Sequence, residues 1–112
     1  MGAQQYRSEL DRKRKQRVDA EKKSGEYRIK ESKKRAEADK ARQEAGKTKS
    51  PSTQRTKLSR ANQRYKEAAS AGKEANSWET KAAGYRRQEA ELQARLSKPG
   101  FTDERSEINA LR

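Results

Sequence analysis

The sequence contains no cysteine and no histidine. The first absence excludes disulfides, thiolate metal sites and thiol nucleophiles. The second removes the usual general base at neutral pH and the commonest metal ligand. Large aliphatic residues are also scarce: Leu, Ile, Val and Phe together account for nine of 112 positions, too few to fill a globular core. No apolar run approaches the ~20 residues of a membrane span. The opening Met1-Gly2-Ala3-Gln4-Gln5 lacks the apolar centre of a signal peptide. A soluble, cytoplasmic protein is the expectation.

What remains is charge and alanine. Lys and Arg number 30 against 17 Asp and Glu, a net charge of +13, and mean hydropathy is −1.62. Low hydrophobicity with high net charge is a signature of disorder, whereas a chain more than half Ala, Glu, Lys, Leu and Arg is one of long helices. Residue order favours helix. The only two prolines, Pro51 and Pro99, both stand at plausible helix boundaries. Acids precede bases by one turn at Glu9–Lys13, Asp11–Lys15, Asp19–Lys23, Glu26–Lys30 and Glu31–Arg35, the favourable orientation within a helix.

The expected fold class is all-α: a long antiparallel two-helix hairpin, coiled-coil-like, with a short C-terminal helix, in a single module over residues 1–112. The first helix is expected over about 3–45, the turn over 46–50 and the second helix over about 51–97. A short helix follows over about 103–111, with Phe101, Ile108 and Leu111 as a small apolar face. Gly46 is a natural helix stop, since glycine enters the left-handed conformation without steric cost. Ser50-Pro51 is a natural restart, the serine capping free amides and proline sitting where no amide hydrogen is needed.

Each helix carries a thin apolar stripe. In the first it comprises Tyr6, Leu10, Val18 and Ile29, continued by Gly25, Ser32 and Ala36. In the second it runs Leu58, Ala61, Tyr65, Ala68, Gly72, Ala75, then shifts register to Trp78, Ala82, Tyr85, Leu92 and Leu96. Folding the chain about residue 48 sets Tyr6 against Leu92, Leu10 against Tyr85, Val18 against Trp78 and Ile29 against Ala68. These residues form the expected interhelix seam. So small a hydrophobic interface leaves a lone hairpin marginal, and a homo-oligomer or a protein partner is expected to help it fold.

The sharpest local signal is electrostatic. No acidic residue lies between Glu44 and Glu67, while Lys47, Lys49, Arg55, Lys57, Arg60, Arg64 and Lys66 do. Cations beside hydroxyls and helix-start amides suit phosphate groups, which makes Lys47, Lys49, Arg55, Lys57, Arg60 and Arg64 the candidate anion- and nucleic-acid-binding residues. A second basic run, Arg12 to Arg17, is diluted by Glu9, Asp11, Asp19 and Glu21. The alternative is a solvated helix face that maintains solubility. Trp78 and the tyrosines serve either as seam residues or as base-stacking platforms, the former being the simpler reading.

No catalytic constellation appears, and neither cofactor, metal nor small-molecule substrate is expected. Gly46-Lys47-Thr48 matches the end of a P-loop, but the glycine needed five residues earlier is Ala41. Tyr85-Arg86-Arg87-Gln88-Glu89, like Tyr27 to Glu31, resembles the tyrosine-to-acid export signal of small secreted helical hairpins of the WXG100 type. Their defining Trp-x-Gly turn is missing, because Trp78-Glu79-Thr80 falls inside the expected second helix, so the chain is not placed among them. The functional expectation is a non-enzymatic structural, oligomerisation or protein-interaction module with a basic tip for anionic partners. The alternatives are sequence-nonspecific nucleic-acid binding through that tip, a small secreted hairpin protein, or docking on an anionic membrane.

Overall fold

A computed structural model describes residues 2–97, and every element in that range is helical. Helix α1 spans Ala3–Lys47 and helix α2 spans Pro51–Leu96. The expected short helix over 103–111, with Phe101, Ile108 and Leu111, lies outside the described residues.

The connection is shorter than the five residues expected. Gly46 stays helical, α1 continues to Lys47, and only Thr48, Lys49 and Ser50 join the helices. The restart follows the capping logic. Ser50 Oγ accepts from the Thr53 amide at 3.4 Å, and the Ser50 carbonyl accepts the first helical bond from Gln54 at 2.9 Å. Ser50's own amide donates to Thr48 Oγ1 at 3.3 Å. Proline at the first helical position costs no hydrogen bond there.

Along α1, same-helix ion pairs form mostly with arginine. Glu31 pairs with Arg35 at 3.7 Å as its spacing predicts, but Glu9 and Asp11 reach Arg12 and Arg14, three residues on, at 3.3 and 3.8 Å. The forked guanidinium can meet a carboxylate across the shorter spacing.

The chain divides into two compact units, one formed by Met1–Glu21 with Glu79–Arg112 and the other by Lys22–Trp78. In the second unit, covered positions in steps of three and four include 24, 27, 31, 34, 38, 41 and 45 on α1 and 57, 61, 64, 68, 71, 75 and 78 on α2, with Gly72 buried and Tyr65 half-buried beside them. Alanine dominates: Ala38, Ala41, Ala45, Ala61, Ala68, Ala71 and Ala75 are all buried. In the first unit the same steps connect Ala3, Leu10 and Ala20 on α1, while Ala82 is buried on α2. The small residues among these positions favour close approach of neighbouring helices, since interaxial distance follows the side chains at the contact.

On α2 the expected stripe members Ala61, Ala68, Gly72, Ala75 and Ala82 are buried, whereas at several larger apolar residues the packed face differs from the expected one. Val18, Ile29 and Leu58 do not lie in the packed face, being 54%, 71% and 42% exposed. Tyr6, Leu10, Tyr65, Trp78, Tyr85 and Leu92 are buried or half-buried. The register shift anticipated near Ala75 is absent, because Ala71, Ala75 and Trp78 continue the four–three alternation. Val18, Ile29 and Leu58 each miss the alanine heptad by one or two positions, and a helix turns about 100° per residue, so such an offset carries a side chain off the packed face.

Candidate anion-binding site

The candidate cations fall in the second unit, at the end of α1, in the connection and along the start of α2. Two of the six are already committed. Lys57 Nζ lies 2.8 Å from Glu44 on α1, and Arg64 contacts both Glu37 on α1 at 3.3 Å and Glu67 at 2.9 Å. These contacts leave a mark on the acids and bases involved. Lys57 holds the Glu44 carboxyl below its usual range, and the bond to Glu67 raises the already high value of Arg64.

Lys47, Lys49, Arg55 and Arg60 remain exposed or half-exposed and make no ion pair among the described residues. They share their neighbourhood with the Thr48, Ser50, Ser52 and Thr56 hydroxyls. Some of that hydrogen-bonding capacity is spent locally: Thr56 Oγ1 donates to the Ser52 carbonyl at 3.1 Å, and the Ser50 and Ser52 hydroxyls lie 3.3 Å apart. Of the six sequence candidates, Lys57 and Arg64 are paired and Arg60 acts on the Glu44 carboxylate, which leaves Lys47, Lys49 and Arg55 without an acidic neighbour of that kind among the described residues.

The arginines of the second basic run are paired with acids instead. Arg17 Nε donates to Glu89 at 2.6 Å while its Nη1 reaches Glu21 at 3.2 Å, and Arg14 reaches Glu89 at 3.7 Å. Glu89 and Glu21 raise the Arg17 value further. Arg86 adds a contact to Glu21 at 3.3 Å.

The aromatic residues are held by charged groups. Lys23 Nζ sits 4.3 Å from the Trp78 ring centre, Lys13 Nζ 5.9 Å from that of Tyr85, and the Arg95 guanidinium 5.8 Å from that of Tyr6. Tyr65 donates its phenolic hydrogen to Asp39, which pushes its own ionisation upward. Trp78 is half-buried, and the Trp78-Glu79-Thr80 stretch is helical.

Sequence reasoning missed the hub at Glu67. Its carboxylate accepts from Lys34 on α1 at 2.9 Å and from Arg64, and these two hold it at about 2, against an ordinary 4.5. The signal was present as charges flanking an alanine heptad, but it becomes visible only once the alanines define the packed face.

Among the described residues, no group of three or more Asp or Glu is placed to hold a metal ion. No described helix is long and apolar enough to cross a membrane. No family model, no curated protein and no solved structure matches this chain.

Proposed function

We propose that this chain is a non-enzymatic association module. It is an antiparallel, coiled-coil-like hairpin of α1 and α2 whose closed end presents a cluster of uncommitted cations to anionic partners. The hairpin reading rests on two features. The pairs Lys57–Glu44, Arg64–Glu37 and Lys34–Glu67 join later residues of one helix to earlier residues of the other, and both helices carry alanine at heptad spacing. Partners lie about one helical turn further along α2 than an even fold about residue 48 requires, as with Arg95 rather than Leu92 at Tyr6.

The observation that carries the functional reading is the contrast in charge accounting. Arg14, Arg17 and Arg86 pair with carboxylates, whereas Lys47, Lys49 and Arg55 make no ion pair among the described residues. Lys22–Trp78 contains seventeen Lys and Arg against seven Asp and Glu, so the excess charge is concentrated there. Uncompensated charge costs self-repulsion that a polyanion relieves, with release of its counterions.

The test is a salt titration of binding to duplex DNA, single-stranded RNA and anionic vesicles, comparing the natural chain with Lys47→Gln/Lys49→Gln. Binding that weakens steeply with salt, and weakens further in the variant at unchanged helicity, is the expected result. Affinity that is insensitive to both salt and substitution rejects the reading.

A further inference from the structure

The outer face of α2, turned away from the alanine heptad, holds Arg55, Ser59, Gln63, Lys66, Ser70 and Lys73. At 100° per residue these six fall within an arc of about 80°, and at 1.5 Å per residue they extend over roughly 27 Å. All six are exposed. None is acidic and none is apolar. The adjoining carboxylates are Glu67, which Lys34 and Arg64 already hold and to which Gln63 donates at 3.5 Å, and Glu74 at the edge of the arc. Arg55, Lys66 and Lys73 make no ion pair among the described residues.

We infer that this face is a binding rail for the phosphodiester backbone of a nucleic acid, extending the contact from the closed end of the hairpin along α2. The inference rests on the anion-binding reading above and specifies its partner. Cations alternating with neutral hydroxyl and amide donors are the side chains that contact phosphate oxygens without reading sequence. The absence of any apolar residue in the six argues against the other anionic surfaces. An amphipathic helix docking on lipid buries an apolar face, and an acidic partner helix needs a seam to pack against; this rail offers neither. Its length corresponds to about eight base-pair steps of 3.4 Å, enough for several phosphates to be met at once.

The experiment uses the full chain and fluorescence anisotropy with a short labelled DNA duplex and a labelled RNA strand, between about 50 and 200 mM salt. Lys66→Gln/Lys73→Gln is expected to weaken binding about tenfold and to reduce the slope of log affinity against log salt by about two. Ser59→Ala/Ser70→Ala is expected to weaken binding several-fold with the slope unchanged, which a purely electrostatic face does not predict. Lys22→Gln/Lys33→Gln removes the same charge from exposed positions on α1 and is expected to change affinity less than about twofold, with circular dichroism confirming equal helicity throughout.

Equal losses in the α1 and α2 lysine pairs reduce the effect to net charge and overturn the rail. So does unchanged binding in the α2 pair while Lys47→Gln/Lys49→Gln abolishes it, an outcome that leaves the tip reading standing. Binding to anionic vesicles but to neither nucleic acid also overturns the rail, and failure to bind any polyanion removes both proposals.

Discussion

Lys34 Nζ on α1 lies 2.9 Å from the carboxylate of Glu67 on α2, and Arg64 holds the same carboxylate from within its own helix. Lys34 thus ties the two helices together through this one acid, and its hydrogen bond is the largest cause of the depressed Glu67 pKa. Lys34 and Glu67 line one surface groove with Tyr27 and the buried Ala71.

That relationship makes acid stability predictable in sign. The Glu67 pKa is about 2 in the folded chain against an ordinary 4.5, so its contribution is complete above about pH 4.5 and is lost as the pH falls towards 2. The melting temperature should decline through this window, and Glu67→Gln should remove part of the decline. The groups are partly exposed, so the change is small. Carboxyl NMR of Glu67 measures it directly; a titration midpoint at the ordinary value of 4.5 contradicts the pairing.

The packed face predicts an inversion of the usual hydrophobic ranking. Ala75 is fully covered, so Ala75→Leu forces extra methylenes into a close helix contact and should cost about 1–3 kcal/mol. Ile29 is 71% exposed, and Ile29→Ser should shift stability by no more than about 0.5 kcal/mol. Thermal unfolding followed by circular dichroism compares the two. A larger loss from Ile29→Ser means that Ile29 packs in an assembly.

The helices and their restart were legible in the sequence, because propensity, ion-pair spacing and the Ser50-Pro51 cap are local properties. The packed face was only partly legible. Large residues dominate any hydrophobic pattern, and Val18, Ile29 and Leu58 drew the expected stripe off the face that the alanines define. On α2, Ala61, Ala68, Ala75 and Ala82 belonged to the expected stripe and are buried, whereas on α1 the buried Ala38, Ala41 and Ala45 did not, because alanine is equally at home on a helix surface. The candidate cations were visible as a run without acids. Which of them remain available was not, because Glu44 and Glu37 reach Lys57 and Arg64 from a distant part of the chain.

Gly25 offers a stabilising change. It sits inside α1, exposed, and a Cβ added there meets nothing within 4 Å. Gly25→Ala should therefore gain about 0.5–1 kcal/mol from reduced backbone freedom in the unfolded chain. Gly72 is different, since its added Cβ runs into the Glu31 carboxylate that Arg28 and Arg35 also hold. Gly72→Ala must displace that flexible acid and should gain less than Gly25→Ala in the same melting experiment.

The cap on α2 gives the last prediction, and it separates structure from anion binding at the connection. Ser50 Oγ accepts from the Thr53 amide, so Ser50→Ala leaves that amide to water and should cost about 1 kcal/mol. Ser50→Asp supplies a charged acceptor at the same position, favourable beside the helix N-terminus, and should hold stability near that of the natural chain. The same aspartate places a negative charge between Lys49 and Arg55, so polyanion affinity should fall in Ser50→Asp although stability does not. In Ser50→Ala the pattern is reversed, with lower stability and affinity largely retained. Melting curves and anisotropy titrations on the two variants measure both quantities. If stability and affinity move together in both, the cap and the anion site cannot be separated and the cations act only through the fold.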